Sequence, residues 1–216
     1  MKIEFYGDLP VAAKNGFIFA GWYLSKEDGD RVTKDSIFNQ GRDITLYAHY
    51  DYINIAEKQS LNVSKFFSDV ENINSYKVIK VENGKASISK KGKLKALKAG
   101  TIKVVPYVKE NGKKVALEDK AITLIITKPK FTQKSISGQV GGMIDVSTLL
   151  EGLPANSNTV TYTVPIKKNP SKQVASVNET TGEVKFLKKG KTKLTVHVVN
   201  EDKSESKVTI NMKIKK

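Results

Sequence analysis

Lysines crowd two stretches of this sequence. Lys90, Lys91, Lys93, Lys95 and Lys98 form one group, and Lys188, Lys189 and Lys191, flanked by Lys185 and Lys193, form another. Clustered ammonium groups attract polyanions by releasing condensed counterions, whether the polyanion is a cell-wall polymer, a host or matrix glycan, or a nucleic acid. The competing reading is a solvated strand face that discourages edge-to-edge association. A second candidate is aromatic: Trp22, Tyr23 and Tyr47 offer rings that stack on the C–H faces of a sugar. Against it, Trp22 with Phe17, Phe19 and Tyr50 is the apolar material that a very small module needs for its own core. Alternation puts Tyr50 on the face of Leu46, which favours the core, and Tyr47 and His49 on the opposite face.

Other chemistry is thin. The chain has no Cys and two His, His49 and His197, which excludes a disulfide framework, a thiolate zinc site, a cysteine nucleophile and a His-rich metal centre. Glu27-Asp28-Gly29-Asp30 lacks the spaced acids of a calcium loop and reads as a solvated turn. His197, between Val196 and Val198, has no His or carboxylate at ligand spacing. No nucleophile motif accompanies a base, and paired acids of the glycosidase type need a cleft that small sandwiches rarely provide. The chain reads as a non-enzyme without catalytic, cofactor-binding or metal-binding residues, and no cofactor is expected.

The 216 residues carry a formal net charge of +15, unevenly spread. Residues 1–52 sum to −2, residues 53–129 to +9 and residues 130–216 to +8. Arg31 and Arg42 are the only arginines, so the basic region is entirely Lys. Sequence-reading of nucleic acid leans on the bidentate Arg fork, which makes nucleic acid an unlikely partner. No apolar run reaches the eighteen or so residues of a membrane span, and Met1-Lys2-Ile3-Glu4 opens without a signal-peptide pattern.

The elements that must position these residues are strands. Ile44, Leu46, Ala48 and Tyr50 alternate with polar residues, as do Ile102, Val104 and Val108, then Ile122, Leu124 and Ile126. Leu194, Val196 and Val198 repeat the pattern, followed by Val208, Ile210, Met212 and Ile214. Period two with one apolar face marks half-buried strands. Turn chemistry at Asn83-Gly84, Asn111-Gly112, Thr181-Gly182 and Asn200-Glu201-Asp202 separates them. Short helical pieces are expected only around residues 63–70 and 146–150.

The chain also repeats. Ala86-Ser87-Ile88 leads to Gly92 and Gly100, and Ala175-Ser176-Val177 leads to Gly182 and Gly190, an offset of 90 residues between the glycine pairs. Upstream, Asn62-Val63-Ser64 echoes Asp145-Val146-Ser147. Gly92 and Gly182 are expected to supply a positive φ between strands, and neither glycine pair has the pattern of a phosphate cradle. The reading is an all-β chain of three modules, 1–52, 53–129 and 130–216, with Lys128-Pro129-Lys130 at the second boundary.

The two repeats resemble the bacterial immunoglobulin-like group 2 domain, whose signature is an Ala-Ser-Val/Ile segment, a polar turn, Gly, an alternating segment, a second Gly and Thr-rich strands. In the second copy this runs from Ala175 through Gly182 and Gly190 to Leu194-Thr195-Val196; the first copy has a turn one residue shorter. The N-terminal module resembles the Listeria–Bacteroides repeat, or internalin B-repeat, through Gly16-Phe17-Ile18-Phe19-Ala20-Gly21-Trp22-Tyr23 and Thr45-Leu46-Tyr47-Ala48. Tyr50 stands where that family usually has Trp, and the segment from Phe5 aligns with the middle of the repeat, which implies a β-grasp-like module lacking its first strand and a chain cut from a longer protein. The resemblances imply two immunoglobulin-like β-sandwiches in tandem, and a monomeric, non-catalytic spacer or adhesion segment of a protein exported to the surface of Gram-positive or related bacteria. The alternative they leave open is an accessory glycan- or polyanion-binding region of a secreted carbohydrate-active enzyme. Its partners would be a cell-wall polymer or a host or matrix glycan or protein.

Overall fold

A computed structural model describes residues 4–12, 14, 17–38, 43–155 and 159–216; Gly16 and Arg42 lie outside them. The described chain is built of strands and four short 3-10 turns, two of which, Val63–Phe66 and Ser147–Leu149, fall where short helical pieces are expected.

The N-terminal module holds β1 (Glu4–Phe5), β2 (Phe17–Tyr23), β3 (Arg31–Val32), β4 (Ile37–Phe38) and the first half of β5 (Tyr47–Ala56). The alternation around Ile44 therefore enters a strand only at Tyr47. β5 is one uninterrupted strand with two different neighbours. Its residues Tyr47 to Tyr52 pair antiparallel with β2, and Ile53 to Ala56 pair parallel with the last strand of the next unit. The step from Tyr52 to Ile53 thus lies inside a hydrogen-bonded strand.

The first sandwich adds β6 (Ser60–Asn62), β7 (Ser75–Glu82), β8 (Lys85–Ile88), β9 (Lys93–Lys98), β10 (Gly100–Glu110), β11 (Lys113–Ala116) and β12 (Ile122–Thr127). One sheet runs β7-β10-β12-β5, and the other β6-β9-β8. The hairpin from β10 to β11 turns through Asn111 and Gly112, both at positive φ, which matches the twist of the flanking strands.

The second sandwich comprises β13 (Lys130–Phe131), β14 (Ser135–Gln139), β15 (Met143–Asp145), β16 (Leu150–Glu151), β17 (Thr159–Thr163), β18 (Ala175–Val177), β19 (Glu183–Phe186), β20 (Gly190–Val199) and β21 (Glu205–Lys215). Its sheets run β17-β20-β21-β14 and β15-β19-β18, the order of the first sandwich strand for strand. In each unit an early strand pairs in parallel with the last, β5 with β12 and β14 with β21.

The inward positions of these alternating strands supply two separate cores. Ile53, Ile55, Ile102, Val104, Leu124 and Ile126 centre the first, and Ile136, Leu194, Val196, Val198, Ile210 and Met212 the second. β-branched residues pack well on a pleated, half-buried surface, and each such side chain contributes about 1.5–3 kcal/mol when fully buried. The N-terminal module has much less: among its described residues Val32 is the one fully buried hydrophobic side chain.

The repeated glycines have the expected backbone. Gly92 and Gly182 have φ of +83° and +80°, and each carbonyl accepts the N–H of a repeated valine, Val63 at 2.9 Å and Val146 at 3.1 Å. A Cβ there would come within 3.0 Å of the Tyr76 ring and 2.9 Å of the Tyr162 ring. Conformation and space both select glycine. Ahead of each valine, the Asn62 and Asp145 side chains accept from the backbone N–H and the hydroxyl of Ser64 and Ser147, which sets the entry to each 3-10 turn.

Candidate functional site

The two lysine groups do not occupy equivalent faces. In the first sandwich Lys93 and Lys95 project outward from β9, between Asn62 and Ser60 of β6. Lys90 and Lys91 lie exposed in the preceding turn, and Lys98 closes the strand opposite Lys85. Lys93 and Lys95 thus stand on the outer face of the central strand of their sheet, beside the basic turn. In the second sandwich Lys185 shares its face with Glu183 at 3.9 Å, and Glu183 is paired across the sheet with Asp145. Lys188 donates its ammonium to the Ser171 carbonyl at 3.1 Å, Lys189 sits in the turn, and Lys191 stands on β20 in the opposite sheet. Period-two alternation assigns a face within one strand, but the turn at 187–189 carries the chain to the other sheet, so Lys188 and Lys191 part company.

The aromatic group divides as well. Tyr23 and Tyr47 are paired across β2 and β5, while Trp22 pairs with Ala48 and so faces the other side of the sheet. Trp22 packs edge-to-face with Phe19 at 5.6 Å, Phe19 does the same with Tyr50 at 6.0 Å, and the indole N–H donates to the Pro10 carbonyl at 2.7 Å. On the opposite face Tyr23 stacks on His49 at 4.0 Å, and His49 Nε2 bonds the Ser25 carbonyl at 2.8 Å. Its register slips at Ala20, between Phe19 and Gly21, which is what breaks the strict alternation of the aromatic run. Tyr47 also lines a groove of about 640 Å³ with Tyr6, Arg31 and Ile37.

His197 has partners that its local sequence conceals. Nδ1 bonds the Glu205 carboxylate and Nε2 the Thr163 hydroxyl at 2.8 Å, while Lys207 bonds the same carboxylate at 2.9 Å. Burial pushes the Glu205 carboxyl up, but hydrogen bonds from Lys207 and His197 outweigh it and leave it below its ordinary 4.5. The signal was the Asn200-Glu201-Asp202 turn: a hairpin there sets Glu205 and Lys207 across from Val199 and His197. A Thr-His-carboxylate chain also appears in nucleophilic catalysis, but there it borders a cleft with free oxyanion donors. Here it lies on the outer face of a sheet, with β17 and β21 paired along both edges of β20.

The same hairpin meets the first sandwich. Gln59 is wholly buried; its carbonyl accepts the Ala56 N–H at 2.8 Å and its amide donates to the Val198 carbonyl at 2.9 Å. Beside it the Ser60 N–H donates to the Ser204 hydroxyl at 2.7 Å, the Asn200 amide to the Ser60 carbonyl at 2.8 Å, and Lys65 pairs with Glu201 at 2.9 Å. No periodicity singles out Gln59, because its partner lies 139 residues away.

Among the described residues no group of three His, Asp or Glu is placed to hold a metal ion, and no helix is long and apolar enough to cross a membrane. The fold is that of an all-β chain: a small N-terminal module leading into two β-sandwiches with the same strand order. Residues 4–49 match the Listeria-Bacteroides repeat domain, the family expected for the N-terminal module. No curated protein matches the chain in sequence. Among solved structures, the C-terminal 282-residue fragment of intimin, in complex with the intimin-binding domain of its translocated receptor, is 18% identical, with 67% of this chain and 53% of that one covered and a TM-score of 0.35. Domains 3–6 of protocadherin gamma B2 are 15% identical over 65% of this chain and 40% of theirs, at a TM-score of 0.30. The human mucin-like protocadherin EC1-2 is 9% identical over 76% and 94%, at the same score.

Proposed function

We propose that this chain is a non-catalytic spacer segment of an exported bacterial surface protein, its modules spanning 1–52, 53–129 and 130–216 and its two sandwiches being group 2 bacterial immunoglobulin-like domains. The observation that carries this reading is the pair of junctions. The first is a strand, β5, hydrogen-bonded on both sides of the boundary; the second is closed by the buried Gln59 and the Ser60 contacts. A flexible coil lets a distal module wander, whereas a paired strand and a buried amide fix direction. The parallel pairs β5–β12 and β14–β21 add to this, since tension on opposite ends of parallel strands loads all their hydrogen bonds together.

Small-angle scattering of the chain tests it. A spacer gives a single extended shape whose maximum dimension holds from low to high salt. A broad, salt-dependent distribution of dimensions would overturn the reading. A glycan and wall-polymer array at two salt concentrations separates the alternative: salt-insensitive binding to a defined sugar would point to the aromatic module as a glycan site.

A further inference from the structure

The two sandwiches have the same strand order, yet one outer face differs sharply in charge. On the β14-β21-β20 face of the second sandwich, Lys191 and Lys213 stand directly opposite each other, with Lys193 and Lys215 two residues further along each strand, all exposed. The matching positions of the first sandwich are Thr101 opposite Ile125, then Lys103 and Thr127. Four lysines thus stand where the sister unit has one. Like charges opposite one another on a sheet are destabilising, so neither solubility nor the fold accounts for the Lys191–Lys213 pair. Among the described residues no carboxylate pairs with any of the four; the outward acid of this face, Glu205, lies at the far end of β21 and is bonded to His197 and Lys207. The lysine half points away from the junction, because β20 runs from Gly190 toward the hairpin that docks on Ser60.

We propose that this face binds an extended phosphodiester polymer of a short polyol. Along a strand the ammonium groups repeat every two residues, about 7 Å. A phosphodiester of a three-carbon polyol has six backbone bonds per charge, and six bonds, the length of two peptide residues, also extend to about 7 Å. Lys, a compact point charge, suits phosphate without the planar fork of Arg. Ser137 and Asn211 flank the lysines as hydroxyl and amide partners for the polyol. Nucleic acid fits worse, because this half of the face offers neither an aromatic ring for a base nor an Arg.

The test is fluorescence polarisation with a labelled glycerol-phosphate oligomer on the full chain between 50 and 200 mM salt. Four neutralised charges give a log–log salt slope of about −2.8, a loss of about fifty-fold in affinity over that range. Lys191→Gln/Lys213→Gln lowers affinity about tenfold or more at the low-salt end and halves the slope, Lys191→Arg/Lys213→Arg retains binding, and Lys167→Gln/Lys168→Gln, in an exposed loop of the same sandwich, leaves it unchanged. Equal loss in both Gln double variants would overturn the proposal in favour of diffuse net charge. Binding of heparin or single-stranded DNA at least as tightly would overturn the assigned ligand class, and no binding at the lowest salt would overturn the site. Thermal melting of each variant controls for folding, and relief of the opposed lysines leaves the melting temperature unchanged or raised.

Discussion

The two sandwiches solve one packing problem with different side chains. Ile126 is flanked by Gly100 and Ile55 in the first, and Ile214 by Gly190 and Gly138 in the second, so Ile55 and Gly138 hold the same place. Across the core, Ala96 and Phe186 hold the same place in β9 and β19, each facing an alanine of the neighbouring strand, Ala86 or Ala175. Large opposite small becomes small opposite large. A Cβ on Gly138 would lie 2.0 Å from the Phe186 ring. The core therefore constrains the sum of two volumes rather than either residue, as expected where interiors are packed to crystal-like density.

The largest expected effect is on this exchange. Gly138→Ile drives a branched side chain into the Phe186 ring and costs the second sandwich about 3 kcal/mol or more, seen as a lowered melting temperature. Adding Phe186→Ala recreates the Ile–Ala arrangement of the first sandwich and recovers most of the loss, although Phe186→Ala alone costs about 3–5 kcal/mol. A double variant no better than the worse single one would break the equivalence.

The next contrast is at the ends of the sandwiches, where Gln59 of the first is matched by Gly142 of the second. Gln59→Ala leaves the Ala56 N–H and the Val198 carbonyl without this partner, at a cost of about 1–3 kcal/mol each before any relaxation. Calorimetry should then resolve two melting transitions where the parent chain shows one, and scattering should report a wider distribution of shapes.

Two smaller effects sharpen what the units share. Gly92→Ala and Gly182→Ala should each cost about 1–2 kcal/mol, because both place a Cβ at positive φ. The two losses should match within experimental error by chemical denaturation, since φ and the tyrosine contact are alike.

The smallest is a difference in acid response. Asp145 is lowered from its ordinary 3.8 by the hydroxyl and N–H of Ser147, and Glu205 is lowered as described, whereas in the first unit Asn62 does not titrate and Asp69, bonded to Lys120, is the carboxyl held down. A carboxyl depressed on folding stabilises above its unfolded pKa, and that contribution is lost as pH falls through the folded value. The second sandwich should therefore lose stability from about pH 4.5 downward. Asp145→Asn and Glu205→Gln should flatten that acid limb in pH-dependent melting while leaving the first sandwich unaffected.

Much of the architecture was legible before any coordinates. Alternation at 102–108, 122–126, 194–198 and 208–214 marks β10, β12, β20 and β21 because a strand buried on one face must alternate. Gly92 and Gly182 mark positive-φ turns because other residues resist that backbone. Asn62 and Asp145 mark the same local turn because their bonds reach only two residues on. The surfaces were less legible. The second lysine group reads as one cluster in the sequence but divides between a turn and two sheets. Lys213 and Lys215, more than twenty residues beyond Lys191, complete the basic face on which it stands.

By itself, then, the sequence determined the long alternating strands with their inward faces, the turns beside them and the existence of two related units, all of which depend on interactions within a few residues. Tertiary structure alone decided that β5 serves two modules, that Gln59 is buried against Val198, that His197 meets Glu205 and Thr163, and that the bulk Ile55 supplies to one core comes in the other from Phe186 on the opposite sheet. Each of those depends on register between strands distant in the chain, and register is settled by the joint packing of both sheets, not by any local pattern.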